Sequence, residues 1–220
     1  MTIPIQDILN KTIGAKKEER EIKHWHPSKI GSCMRGVYLE RLGVKPDEEF
    51  DERTLRVFDV GHIFEDWIIN ILKKDDSLKI ETQVRVEDAE LDISGYADAL
   101  IEYNGEKKLY EIKSKHSRAF HYMQKMGEGA NRHHEYQLWL YMKILNIENG
   151  AILYVSKDDL CLLEYPVLLS DKKLEVETMS YIKALNEAWQ KKDPSILPLP
   201  KKGAWQEKYC RFHKQCLEIK

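Results

Sequence analysis

The stretch from Ile93 to Lys115 constrains this chain more than any other, because it reads as a β-hairpin carrying an Asp, a Glu and a Lys at fixed places. In its first run Leu91, Ile93, Ala97, Ala99 and Ile101 alternate with Asp92, Ser94, Tyr96 and Asp98, the two-residue period of a strand. Asn104-Gly105 supplies the tight-turn chemistry. In the second run Glu111 and Lys113 are two apart and so share one face. Two carboxylates on neighbouring strands offer hard oxygen ligands to a divalent cation. An ammonium beside them orients a water or offsets charge building on a phosphate. A Glu-x-Lys on a strand arises readily by chance in a chain that is 33% charged, so its weight comes from the order of the features around it.

Composition sets the outer bounds. A chain of 220 residues that is 42% hydrophobic can bury one substantial core, here expected as a single domain over 1–220. Its net charge of −2 neither demands nor excludes a nucleic-acid partner, because a basic groove can be balanced by acid elsewhere. No apolar run approaches the ~18 residues of a membrane span, and the start of the chain lacks the apolar core of a signal peptide. The four cysteines are widely spaced, which favours reduced thiols or metal ligands over a disulfide framework. The expected location is the cytoplasm.

Along the chain, 4–20 reads as a short helix running into a charge-rich exposed stretch. Ser28 is the expected N-cap of a helix carrying Cys33, Arg35, Tyr38 and Leu42, with Gly43 as its stop. An amphipathic helix covers about 54–73, with Val57, Val60, Phe64, Ile68, Ile71 and Leu72 at helical spacing. Residues 80–86 read as the first strand, and the hairpin supplies the second and third. The polar stretch 116–134 reads as a helix broken at Gly127 or as a loop. A helix over about 132–147, a second hairpin over 151–155 and 160–167, and a helix over about 171–191 follow. The order is that of an α/β domain around a small mixed sheet, with a catalytic core over about 54–170.

These pieces together resemble a known family. Gly61-His62-Ile63-Phe64-Glu65 on a helix, Gly95-Tyr96-Ala97-Asp98 on a strand, Glu111-Ile112-Lys113 on the next, and Gln137 with Tyr141 on the following helix occur in one fixed order. That order resembles the PD-(D/E)xK nuclease superfamily with its restriction-endonuclease-like core, and within it the RecB-like exonuclease branch, which includes CRISPR-associated and phage-encoded nucleases. The resemblance implies metal ligation (Mg2+ or Mn2+) by Glu65, Asp98, Glu111 and the Ile112 carbonyl, with Lys113 assisting. It implies that Gln137 and Tyr141, four apart on one helical face, contact nucleic acid and brace the site. Gly61 is expected to allow close approach of its helix, and His62 to lie on the helix surface.

The same resemblance bears on the cysteines. Iron–sulfur members of the branch have one N-terminal cysteine and a C-terminal cluster of three. Trp205, Tyr209, Cys210 and Cys216 fall in the frame of that cluster, but position 207, where its first cysteine would stand, is Glu. Four thiolates are the usual complement of a [4Fe–4S] cluster. Three alternatives follow: Glu207 or another group supplies the fourth ligand, or Cys33, Cys210, His213 and Cys216 hold zinc, or the segments 1–50 and 193–220 pack together without metal. Cys161 is expected to be a small buried hydrophobe.

The implied activity is hydrolysis of phosphodiester bonds in DNA, from free ends or on single strands. Partners would come from recombination, replication or CRISPR adaptation. Tyr96, Phe120, Tyr122 and Trp139 are aromatics near the expected groove that could stack bases, with core packing the expected role for any one of them. The alternatives are a catalytically silent nucleic-acid-binding adaptor on the same fold and a restriction-type endonuclease.

Overall fold

The computed structural model describes residues 3–14 and 21–219. Its helices are α1 (Ile5–Gly14), α2 (Met34–Arg41), α3 (Glu52–Leu72), α4 (Ser117–Met126), α5 (Arg132–Leu145), α6 (Lys172–Lys191), α7 (Trp205–Lys208) and α8 (His213–Glu218). Its strands are β1 (Leu78–Asp88), β2 (Ile93–Tyr103), β3 (Glu106–Lys115), β4 (Asn149–Ser156) and β5 (Leu162–Leu168). They form one mixed sheet in the order β1-β2-β3-β4-β5, antiparallel throughout except that β3 and β4 run parallel. A parallel pair needs a crossover, and α4 and α5 supply it. No helix among the described residues is long and apolar enough to cross a membrane.

Each boundary has a local cause. The Asp51 side chain accepts from the Thr54 N–H and starts α3, and Asp171 does the same for α6 through Leu174. Gly127, at φ 62°, ends α4 in the left-handed conformation that glycine adopts without strain. The 116–134 stretch is thus two helices, α4 and the start of α5. Two expectations are corrected. Pro27–Lys29 forms only a 3₁₀ turn, so Ser28 caps nothing, and α2 starts after Cys33. On α3 the burial falls on Ile68 and Ile69, while Val57, Val60 and Ile71 are 42%, 38% and 46% exposed. Near its start α3 meets α1, where Arg56 donates to the Asn10 side chain. The expected helix over 4–20 ends at Gly14, and 15–20 lie outside the described residues.

Three layers result. Ile68 and Ile69 of α3 pack with Ala99, Ile101, Ile112 and Val155 on one face of the sheet. Leu138, Trp139, Tyr141 and Met142 of α5 pack with Val84, Val86, Ala97 and Ile152 on the other. Ala97 and Ala99 are two apart yet join different layers, as do Val84 and Ile80. The β1–β2 ribbon therefore rolls over between them, at Gln83 and Asp98. A second core behind α5 gathers Trp25, Tyr38, Leu140, Tyr181 and Leu185. Within it Arg41 is held 4.2 Å from the ring centres of both Trp25 and Trp189.

Where α5 crosses β4, the fit is tight. A Cβ on Gly150 would lie 2.5 Å from Met142 Sδ and 3.1 Å from the Leu109 carbonyl oxygen. Gly150→Ala is therefore expected to cost about 1–3 kcal/mol, read as a lower midpoint in urea unfolding. An unchanged midpoint would mean that α5 does not press on β4 at this point.

Candidate active site

The site forms where the sheet opens. β2 and β3 pair from Tyr103↔Glu106 to Ala99↔Tyr110, and the ladder stops there. β3 continues, paired to β4 through Lys115↔Ser156. The next residues across the opening are Asp98 and Glu111. The Ile112 N–H has lost its strand partner, and Asp98 Oδ2 accepts its hydrogen bond at 2.7 Å. On the other side of β2 the pairs Thr82↔Ala99 and Val84↔Ala97 flank Gln83, which stands opposite Asp98 without pairing. Gln83 has φ 52°, a left-handed conformation costly for a residue with a Cβ. Its side-chain amide donates to Glu65 Oε1 at 2.8 Å.

The structure thus brings Glu65, Asp98, Glu111 and Lys113 together from α3, β2 and β3. Glu111 is fully buried and Asp98 is 9% exposed. Glu111 Oε1 accepts from Lys113 Nζ and, at 2.6 Å, from the Gln137 amide. Glu111 Oε2 is buried and has no hydrogen-bond partner among the described residues. An orphaned buried oxygen of this kind costs about 1–3 kcal/mol. The three carboxylates do not all place an oxygen within 4.8 Å of one another. They are nonetheless close enough to feel each other's charge.

That coupling shows in their protonation. Burial, which outweighs the opposing pull of Lys113, and then the charge of Asp98 push the Glu111 carboxyl up to about 8. Burial likewise raises Asp98, against the opposing pull of Lys113 and the Ile112 N–H. Glu65 is raised by burial and by Asp98. Burial alone would lower Lys113, but Glu111 and Asp98 outweigh it and hold its ammonium above the usual lysine range. Lys113 is therefore a cation at neutral pH.

One pattern runs through the carboxylates. Each gives one oxygen to a protein donor: Glu65 Oε1 to Gln83, Asp98 Oδ2 to Ile112, Glu111 Oε1 to Lys113 and Gln137. The second oxygens of Asp98 and Glu111 accept no hydrogen bond among the described residues, and Glu65 Oε2 is faced by His62 Nδ1 at 3.8 Å, beyond hydrogen-bond length. Half-satisfied carboxylates clustered on hard oxygen donors fit a divalent cation of the Mg2+ or Mn2+ kind.

Other sequence candidates fall differently. Gln137 and Tyr141 are only 5% and 3% exposed. They brace the site from beneath, Gln137 through Glu111 and Tyr141 through a 3.4 Å contact with Gln137, and neither is on a surface where a strand of nucleic acid would lie. A Cβ on Gly95 would lie 3.2 Å from the Tyr141 hydroxyl and 3.1 Å from Pro27, so that glycine lets β2 close over both. Gly61 has no such reason, since a Cβ there would meet only Ser114 Oγ at 3.9 Å. Phe120 and Trp139 are buried core residues, which removes them as stacking platforms, whereas Tyr96 and Tyr122 are exposed. Gln83 was not visible in the sequence, because nothing in a lone strand glutamine signals a left-handed backbone.

The cysteines also gather. Cys33, Cys210 and Cys216 lie together with Leu39 and Phe212 in a small core of their own, where the terminal segments meet. Cys161 is exposed rather than buried, because β5 is the sheet edge and its start faces outward.

The sequence matches no family model, and no curated protein matches it in sequence. Solved structures do resemble it. SSO0001 superposes with a TM-score of 0.59 at 19% identity, covering 100% of both chains. The alkaline exonuclease LHK-Exo of Laribacter hongkongensis gives 0.55 at 13% identity over 84% of this chain and 97% of that one. Its complex with dAMP gives 0.55 at 15% identity over 78% and 94%. With its five-stranded mixed sheet and flanking helices, the chain shares its fold with SSO0001 and with the alkaline exonuclease LHK-Exo.

Proposed function

We propose that this chain is a divalent-cation-dependent nuclease that hydrolyses phosphodiester bonds in DNA, acting from free ends or on single strands. The observation that carries the reading is the set of half-satisfied carboxylates, above all Glu111 Oε2, buried without a partner beside Asp98. A purely structural ion pair would engage both oxygens. The fold it shares with an alkaline exonuclease, one form of which was solved with dAMP bound, supports a nucleic-acid substrate.

Mg2+ or Mn2+ held by Glu65, Asp98, Glu111 and the Ile112 carbonyl would supply Lewis-acid polarisation of the phosphate and a water of lowered pKa. The protein's own groups do the rest. Gln137 and Gln83 fix the rotamers of Glu111 and Glu65, so the free oxygens keep their aim. Lys113, held beside Glu111, donates to the negative charge that builds on the phosphate. Tyr96, exposed on β2 two residues before Asp98, is placed to stack on a base of the incoming strand.

Asp98→Asn and Glu111→Gln are each expected to lower Mg2+-dependent cleavage by at least about a hundredfold. In metal-free buffer the same variants should melt about 2–5 °C higher, because the buried acid is gone. Retention of the wild-type rate by either variant would remove the site assignment. Lys113→Ala should lower kcat by about 100- to 1000-fold while shifting the Mg2+ midpoint only a few-fold. A lost Mg2+ response with unchanged saturated kcat would make Lys113 a metal-site organiser instead.

The substrate reading is tested with end-labelled linear DNA and closed circular duplex, in Mg2+ and in EDTA. Linear DNA should be degraded progressively and the closed circle should persist. Discrete fragments from the circle would favour restriction-type cutting, and DNA binding without cleavage would favour the adaptor.

A further inference from the structure

Cys33 Sγ lies 3.9 Å from Cys216 Sγ, and Cys210 Sγ lies 3.8 Å from Cys216 Sγ. All three sulfurs fall within 4.8 Å of one another. A [4Fe–4S] cluster binds each thiolate to a different iron at a different corner, so its sulfurs point inward from well-separated positions. A single tetrahedral ion at Zn–S bonds of ~2.3 Å places its sulfurs ~3.8 Å apart. The observed spacing is that of one ion. The fourth thiolate that a cluster needs is also missing, since Glu207 stands in its place. The residues present do not fit the four-thiolate cluster.

Two candidates for a fourth donor line the space beside the sulfurs, although neither places a ligand atom within 4.8 Å of all three, so a side-chain rotation would bring it in. A cavity of about 440 Å3 beside the sulfurs is lined by Glu207, His213 and Lys202 together with Cys33, Cys210 and Cys216. One oxygen of the Glu207 carboxylate accepts from the Gly203 N–H, and the other is free among the described residues. The His213 ring has no hydrogen-bond partner among the described residues, and it stands three residues before Cys216 in α8, on the adjoining helical face. Imidazole also suits a borderline-soft ion held by thiolates better than a carboxylate does.

We propose that Cys33, Cys210 and Cys216, with His213 as fourth ligand, hold a single divalent ion of the zinc class in place of an iron–sulfur cluster. The site is closed, with no open coordination position, and its role is structural. Three thiolates and one Zn2+ leave one negative charge, which Lys202 on the cavity wall offsets. The ion ties the segment before α2 to α7 and α8. Trp205 of α7 stacks on His133 of α5 with ring centres 4.9 Å apart, so the lobe presses on the helix that carries Gln137.

The exposed trio His121, Asp159 and Cys161 could also take up metal. The test therefore uses the full chain carrying Cys161→Ser and Asp98→Asn, made in medium supplied with both iron and zinc and purified anaerobically without chelator. Elemental analysis should give about one zinc per chain, sub-stoichiometric iron, and no visible absorbance of a cluster. About four irons per chain with that absorbance would overturn the proposal. Metal-free protein that fails to take up one Zn2+ in competition with a chromophoric chelator would overturn it as well. Co2+ in place of zinc should give intense thiolate-to-cobalt bands and the visible spectrum of a tetrahedral site, a readout that needs no cysteine variant to fold. His213→Ala should weaken Zn2+ binding at least about tenfold, and Glu207→Ala should change it less than about twofold. The reverse order would overturn His213 as the fourth ligand.

Discussion

The hydrogen bond from the Ile112 N–H to Asp98 is the contact on which the site depends. Two strands that separate in a protein interior leave backbone donors unpaired, and an unpaired buried N–H is costly. β2 and β3 separate after Ala99↔Tyr110, and a carboxylate on one strand replaces the carbonyl that the N–H of the other has lost. One acid thus permits the opening and also occupies it. Glu111, the next residue across, is carried into the same gap on the buried face. The placement of both acids follows from where the ladder ends, and that is set by the parallel pairing that draws β3 towards β4.

The opening is bounded at its far end too. The extended segment at Trp25 bridges Ile93 of β2, with Trp25 N–H donating to Asp92 O and Ser94 N–H to Trp25 O. That segment takes the side of β2 that β3 has vacated. Between the two partners, β2 from Gly95 to Asp98 is left with an open edge. Pro27 and Tyr141 close beneath Gly95, so the notch has a floor as well as two walls. Tyr96 and Asp98 lie within that stretch, so a polymer strand laid along the edge would meet an exposed aromatic ring and the acids in sequence.

Much of this was legible in the residues, for identifiable reasons. Asp98, Glu111 and Lys113 declared themselves because a two-residue period and an Asn-Gly turn fix relative positions over short distances. Gly127 and Asp51 mark helix ends through local backbone chemistry, which the sequence carries directly. What stayed hidden depends on tertiary context. The apolar stripe of α3 implied a buried face, but only the half over the sheet finds something to bury against. The pair Gln137 and Tyr141 was read as both contacting nucleic acid and bracing the site, and the burial that favours the second role is set by how α5 lies across β4. Gln83 acts through a backbone conformation that the chain around it imposes.

The terminal segments show how one side chain can fix an arrangement that no local pattern announces. Arg35 is 8% exposed, and its guanidinium donates to the carbonyls of Ser195, Leu197, Cys216 and Ile219 at 2.8–3.1 Å. A buried cation is tolerated where its donors are matched by acceptors, and here the acceptors are four main-chain oxygens from two stretches of the C-terminal segment, 195–197 and 216–219. Arg35 sits two residues after Cys33 and two of its acceptors lie at and just after Cys216, so the clamp sets the distance between these cysteines whether or not an ion joins them. A Cβ on Gly36 would lie 2.8 Å from Cys210 Sγ, and this third sulfur reaches the pair only because that residue has none. The cysteine trio is therefore positioned by α2, as the carboxylates are by the parted strands: in both places the backbone fixes the spacing of the side chains.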